Sequence, residues 1–310
     1  MLRTLPAMRL AGALAAAMVS GCSATPHGQS AHAPANHPKP PVSYYLALGD
    51  SLSRGVEPDS SGASVETQHG YADQLYTTLR KDHPGLRLVK LGCPGETTST
   101  MISGGICHYR AGSQLTAAMR FLRAHQGKVA LVTIDIGAND PETCLTDPSP
   151  PNFASCVGRS VPKATANLTT IVTGLRAVDP HGRIIAMNYY LPALAQWRHG
   201  LLGQAVARMV ALAAHGYNNL LTKIYQTYHV GIANVFGAFE TTNFGGQVAV
   251  PGYGTLPTNV AAICRWTWEC AAPPRGPNQH ANQAGYAVIA HAFLLAGPGP
   301  AARTSPQAAG

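Results

Sequence analysis

Between residues 44 and 295 the apolar positions follow two alternating rhythms. Short runs dense in Val, Ile, Leu and Tyr occupy residues 44–48, 86–91, 129–136, 183–189 and 230–236, with Gly or Pro close behind each, and read as strands. Between them lie longer segments, 71–81, 113–124, 161–178, 201–228 and 282–295, in which apolar residues recur every three or four positions, as one face of a helix requires. This alternation predicts a three-layer αβα sandwich with a five-stranded, mainly parallel sheet. Ligands of such a fold sit beyond the carboxyl ends of the strands. No internal repeat is visible, and a single domain over residues 43–296 is expected, since α/β units reach about 250 residues.

The flanks differ. Residues 23–42 consist of Ser, Ala, Thr, Pro, His and Gly with almost no large apolar side chain, so ordering them would not be repaid by burial, and they read as a tether. The Pro/Ala/Gly-rich segment 297–310 reads the same way. Residues 1–22 carry Arg3 and Arg9, an apolar run from Leu10 to Val19, and then Ser20-Gly21-Cys22. That run is short of the roughly 20 apolar residues a transmembrane helix needs and fits the apolar region of an export signal. Its end resembles a bacterial lipobox, in which the cysteine is lipidated and becomes the new N-terminus. An exported protein is expected, anchored through Cys22 to the outer face of the cell membrane, or secreted if an ordinary signal is cut elsewhere.

The chain contains 7 cysteines, an odd number that Cys22 resolves. The other six, Cys93, Cys107, Cys144, Cys156, Cys264 and Cys270, would meet an oxidising compartment and are expected as three disulfides. Six cysteines allow about 15 connectivities. Sequential pairing, Cys93 to Cys107, Cys144 to Cys156 and Cys264 to Cys270, closes the shortest loops. A metal site is not expected: there is no CxxC or HExxH, and the histidines lack ligand spacing. Only 12% of residues are charged, which argues against a disordered or coiled-coil chain. The net charge is +8, yet no short Lys/Arg-rich run occurs, so no nucleic-acid partner is expected, and the domain is expected to be a monomer.

Candidate chemistry gathers at the strand ends. The first strand closes in Leu48-Gly49-Asp50-Ser51-Leu52, the second in Gly92-Cys93-Pro94-Gly95, and the third in Gly137-Ala138-Asn139-Asp140. Near the carboxyl end, Pro277-Asn278-Gln279-His280 precedes the last helix and leads to Gly285-Tyr286. Singly, these residues suit caps and turns as well as catalysis. The GxSxG elbow of the α/β-hydrolases is absent.

Taken in chain order, the four blocks resemble the SGNH/GDSL hydrolase superfamily of esterases and lipases, whose motifs supply Ser, Gly, Asn and His. The resemblance covers residues 43–296 and implies a flavodoxin-like fold. It also implies a serine ester hydrolase without metal or cofactor, acting on a small ester, a lipid or an acylated glycan. It assigns Ser51 as nucleophile and His280 as general base. Ser51, Gly95 and Asn139 would form the oxyanion hole. The family usually places Asp three residues before the histidine, and here that residue is Pro277. A main-chain carbonyl can take the place of the carboxylate, so a Ser51–His280 dyad oriented by the Pro277 carbonyl is expected, with Asn278 or Glu269 as lesser candidates. Trp266 and Trp268 are candidates for an acyl or sugar pocket, or for packing. The Asn167-Leu168-Thr169 sequon lies in a helical pattern and is discounted. The reading from a different class is a catalytically inactive binding lipoprotein. Low aromatic content and the lack of a long apolar lid lean away from a long-chain lipase.

Overall fold

A computed structural model describes residues 41–142, 144 and 150–297. The expected leader with Cys22, nearly all of the tether and the tail beyond residue 297 lie outside the described residues.

Five strands, β1 (Ser43–Gly49), β4 (Leu86–Lys90), β5 (Val129–Asp135), β6 (Ile184–Met187) and β7 (Gly231–Ala233), form one parallel sheet in the order β4-β1-β5-β6-β7. Leu46 pairs with Val89 on one side and Val132 on the other. Tyr45 to Leu48 are fully buried, which explains why β1 reads as an unbroken apolar run rather than an alternating one. The chain leaves β1 for β4 on one side and then returns past it to β5 on the other. Right-handed crossovers therefore place the intervening helices on opposite faces and open a crevice at the carboxyl ends of β1 and β5.

The helices form two layers. α2 (Tyr71–Leu79) packs on α10 (Gln283–Leu295), with the rings of Tyr71 and Phe293 stacked at 4.8 Å. On the other side α3 (Thr98–Ser103), α4 (Gln114–Ala124) and α7 (Gly200–Thr227) pack against α6 (Pro150–Val178). The remaining elements are short: α1 (Ser51–Arg54), α5 (Asn139–Glu142), α8 (Val235–Ala238), α9 (Thr258–Trp266), a 3-10 helix at Pro192–Arg198, and the hairpins β2 (Val56–Pro58) with β3 (Ser64–Glu66) and β8 (Gln247–Val250) with β9 (Gly254–Pro257).

The αβα sandwich with five strands is the architecture the sequence pattern implies. Three local readings change. The α6 helix starts at Pro150 rather than 161 and passes through Pro162, giving up one backbone hydrogen bond there. The last strand ends at Ala233, because the Asn234 side chain accepts from the Gly237 N–H at 3.0 Å and starts α8. Neither hairpin nor α9 shows in the apolar rhythm.

Disulfides join Cys93 to Cys107, Cys144 to Cys156, and Cys264 to Cys270. Each starts or ends in a loop at the carboxyl edge of the sheet or near His280. No helix among the described residues is long and apolar enough to cross a membrane.

Candidate active site

The turn after β1 presents Ser51. Gly49 has φ +133°, and a Cβ there would stand 2.1 Å from the Asp135 carbonyl oxygen, so only glycine lets β1 lie this close to the end of β5. Asp50 caps α1 by accepting from the Leu52 N–H at 3.0 Å, and Ser51 is the first residue of that helix.

His280 arrives from the far end of the chain, in the loop between α9 and α10. Its carbonyl accepts from the Trp268 N–H at 3.0 Å, and Asn282 caps α10 by accepting from the Gly285 N–H at 3.0 Å. These bonds fix the loop on both sides of the imidazole. His280 Nε2 lies 2.9 Å from Ser51 Oγ. On the opposite side of the ring, Nδ1 lies 2.8 Å from Asn278 Oδ1, which also accepts from the His280 backbone N–H at 3.0 Å. A backbone N–H only donates, so the Asn278 atom it meets is the carbonyl oxygen. Nδ1 therefore carries the ring proton and Nε2 offers its lone pair to the Ser51 hydroxyl.

The orienting group thus differs from the one expected. The acceptor at Nδ1 is the Asn278 side chain and not the Pro277 carbonyl. The reason is local: an Asn side chain folds back readily onto the N–H two residues on, and that turn delivers the same oxygen to Nδ1. Glu269 makes no hydrogen bond to the imidazole among the described residues. Burial pushes the His280 pKa down to about 4.

Asn139 opens α5 at the end of β5. Its Nδ2 donates to the Glu96 carbonyl at 2.8 Å, which uses one amide hydrogen and leaves the second. The Gly95 loop is held to β1 by the Cys93 N–H on the Gly49 carbonyl at 3.0 Å. Gln114, fully buried on α4, reinforces the link: its Nε2 donates to the Gly49 carbonyl and to Glu96 Oε2, each at 2.9 Å. Gly95 has φ +80°, the left-handed backbone that favours glycine. Asp140 ties the same two loops together, accepting from the Thr98 N–H at 2.9 Å and its hydroxyl at 2.6 Å.

Ser51, Asn139 and His280 line one cleft of about 50 Å³ together with Asp50, Glu142, Tyr189, Tyr190, Pro192 and Gln279; Gly95 is not among its lining residues. Glu142, Gln279 and both tyrosines were not singled out in the sequence. Tyr189 and Tyr190 follow β6, the fourth strand end, where only polar and glycine motifs drew notice. Glu142 lies one turn of chain beyond Asn139, and its Oε2 accepts from Gln279 Nε2 at 3.1 Å. Burial raises its pKa. The Tyr190 hydroxyl donates to the Gln279 carbonyl at 3.0 Å, whereas the buried Tyr189 hydroxyl has no partner among the described residues. The two tryptophans lie elsewhere: Trp268 Nε1 donates to Glu57 Oε2 at 3.2 Å, and Trp266 packs edge-on to Phe239 at 5.2 Å. Asn167 spends its amide on the Thr98 and Ser99 hydroxyls at 3.1 and 2.9 Å.

Beneath Ser51 lies a buried acid pair. The Asp50 and Ser53 N–H groups donate to Asp135 Oδ2 at 3.2 and 3.1 Å, and the Tyr71 hydroxyl donates to Asp135 Oδ1. Burial raises both carboxyl pKa values, that of Asp50 to about 7; the Asp50 charge raises Asp135 further, whereas the hydrogen bond with Asp135 works to lower Asp50. Among the described residues, no group of three or more His, Cys, Asp or Glu is placed to hold a metal ion.

A family model described as GDSL-like lipase/acylhydrolase matches residues 47–288, most of the chain and all four motif blocks. The chain belongs to that family. It is a carboxylic ester hydrolase of the SGNH type, and its parallel sheet is the one that family shares. No curated protein is similar enough in sequence to be matched. Among solved structures, an extracellular lipase from Streptomyces rimosus is 18% identical, with 82% of this chain and 99% of that one covered and a TM-score of 0.54. The lipase Lip_vut3 from a goat rumen metagenome is 15% identical, with 83% and 99% covered and a TM-score of 0.52. At these identities the likeness is one of fold.

Proposed function

We propose that this SGNH hydrolase cleaves short-acyl carboxylic esters through an acyl-enzyme on Ser51. The observation that carries this reading is the chain Ser51 Oγ to His280 Nε2 at 2.9 Å and His280 Nδ1 to Asn278 Oδ1 at 2.8 Å. Ser51 Oγ attacks the ester carbonyl carbon while Nε2 takes the hydroxyl proton. The resulting oxyanion is met by the second Asn139 amide hydrogen and by the Ser51 and Gly95 backbone N–H groups. As the C–O bond to the alcohol breaks, imidazolium returns the proton to the leaving oxygen. Water then repeats the sequence on the acyl-enzyme, releasing the acid and restoring Ser51.

The cleft supports a small acyl group, being only about 50 Å³ and partly walled by Tyr189 and Tyr190. Glu142 at its edge disfavours anionic substrates when ionised. An acylated glycan is a second reading favoured by the same cleft: the Glu142 carboxyl that lines it offers an acceptor to a sugar hydroxyl. The three disulfides support an extracytoplasmic location, and the lipobox-like end of the leader supports anchorage through Cys22. Hydrolysis of a p-nitrophenyl ester series from acetate to laurate, beside an acetylated xylan, tests this function. Activity confined to short chains and abolished in Ser51→Ala supports it, and uniform inactivity of folded protein defeats it.

A further inference from the structure

The first half of the long helix α7 is turned inside out relative to an ordinary surface helix. Leu201 is 86% exposed, Leu202 78%, Met209 62% and Leu212 75%, and Leu220 is exposed one helical stretch further on. At 100° per residue these positions fall on one face together with Ala205, Ala213 and Gly216. The inner face of this first half is made of small residues instead: Gly203, Ala207 and Ala211 are buried, and a Cβ on Gly203 would stand 2.0 Å from the Gln196 carbonyl oxygen. Close packing in the first half of α7 therefore uses glycine and alanine, whereas Leu221 and Tyr225 fill the core further on; Leu201, Leu202, Met209 and Leu212 are left largely in solvent. Contiguous apolar surface of this kind marks a docking site.

Charge identifies what docks. No Asp or Glu occurs between Asp179 and Glu240, whereas Arg198, Arg208 and Lys223 lie in that stretch. The exposed Arg208 guanidinium is held 4.9 Å from the rings of both Trp197 and Phe244, beside the apolar face. A second copy laid on the same face would bring Arg208 and Lys223 against their own images with no carboxylate on the helix to offset them. A phosphate-bearing surface supplies that countercharge. The buried side of the same helix faces the cleft wall: Pro192, in the 3-10 helix that leads into α7, lines the cleft, and the buried Asn218 Oδ1 accepts from the Tyr189 N–H at 2.8 Å, so the exposed face lies on the far side of the helix from the site.

We propose that α7 seats the enzyme on an anionic phospholipid bilayer, with Leu201, Leu202, Met209 and Leu212 entering the headgroup and acyl boundary and Arg208 and Lys223 at the phosphates. The seat does not depend on which ester is cleaved. The test uses the full chain carrying Cys22→Ser, so that no thioether-linked lipid can itself hold the protein to a vesicle. Co-sedimentation is measured with phosphatidylcholine vesicles and with equimolar phosphatidylcholine and phosphatidylglycerol vesicles. The same is done for the triple variant Leu202→Gln, Met209→Gln and Leu212→Gln. Turnover of p-nitrophenyl acetate in vesicle-free solution reports separately on folding and chemistry. Expected are preferential binding to the anionic vesicles and a loss of about tenfold or more in the triple variant, with turnover unchanged. Absence of binding, equal binding to both vesicle types, or undiminished binding by the triple variant would overturn the proposal. So would a dimer in sedimentation velocity that the triple substitution dissociates, since that would assign the face to a second copy. Vesicle binding by a protein inactive on every ester leaves the seat intact and counts against the hydrolase reading alone.

Discussion

Asn278 holds His280 twice through one oxygen, which accepts from the backbone N–H at 3.0 Å and faces Nδ1 at 2.8 Å. A neutral amide fixes the tautomer as a carboxylate would but adds no negative charge to stabilise imidazolium. That distinction separates orientation from electrostatics in this site.

The free enzyme's kcat/KM should fall on the acid side near the depressed His280 pKa of about 4, because protonated imidazole cannot take the Ser51 proton. Asn278→Asp introduces the missing charge and should move that limb upward, towards the ordinary histidine value. Asn278→Ala removes the orienter and should lower kcat by roughly 10 to 100-fold, less than loss of the base itself. Pro277→Ala should change activity little. A pH–rate profile of the three variants checks the assignment, and a collapse in Pro277→Ala with little effect at Asn278 would return the role to the carbonyl.

Asn139→Ala should lower kcat by about 10² to 10³ with a much smaller change in KM, the pattern of a donor used only as charge develops. Its other amide hydrogen also holds the Glu96 carbonyl, so a melting curve is needed beside the kinetics. An equal loss of activity and stability would make the residue a loop tie alone.

Asp50 makes folding sensitive to pH in a defined direction. Its carboxyl pKa is raised by burial from 3.8 to about 7, so between those values the folded state retains a proton that the unfolded chain releases. Stability from this group is full below about pH 4 and is lost as pH rises to about 7. Asn in its place cannot ionise and can still cap Leu52. The melting temperature of Asp50→Asn relative to the parent should therefore rise across that window, by roughly 2 to 8 °C, and stay level above it. A difference that shrinks with rising pH would contradict the burial account.

Much of this was legible in the chain itself because strand ends concentrate function. Gly49-Asp50-Ser51 and Gly137-Ala138-Asn139 each sit where an apolar run stops, the parallel order of strands brings those stops to one edge, and His280 joins them from the loop before the last helix. What was not legible depends on side chains reaching across loops. Asn278 is read as a turn residue until its oxygen is seen on Nδ1. Glu142 and Tyr189 have no local pattern that marks them as cleft lining. The apolar rhythm of α7 located the helix correctly but says nothing about which side faces out, and in its first half Gly203, Ala207 and Ala211 take the inside, Gly203 because the Gln196 carbonyl of the neighbouring 3-10 helix lies too close for any side chain.

The most direct test of the site is covalent. A fluorophosphonate reacts with a serine only when a base activates its hydroxyl and donors receive the developing charge, so it reports Ser51, His280 and the oxyanion hole in one step. Stoichiometric labelling of the folded protein, located by mass spectrometry on the peptide bearing Ser51 and lost in both Ser51→Ala and His280→Ala, is the predicted result. Unlabelled folded protein, or label on any other serine, would contradict the assignment of Ser51 as nucleophile.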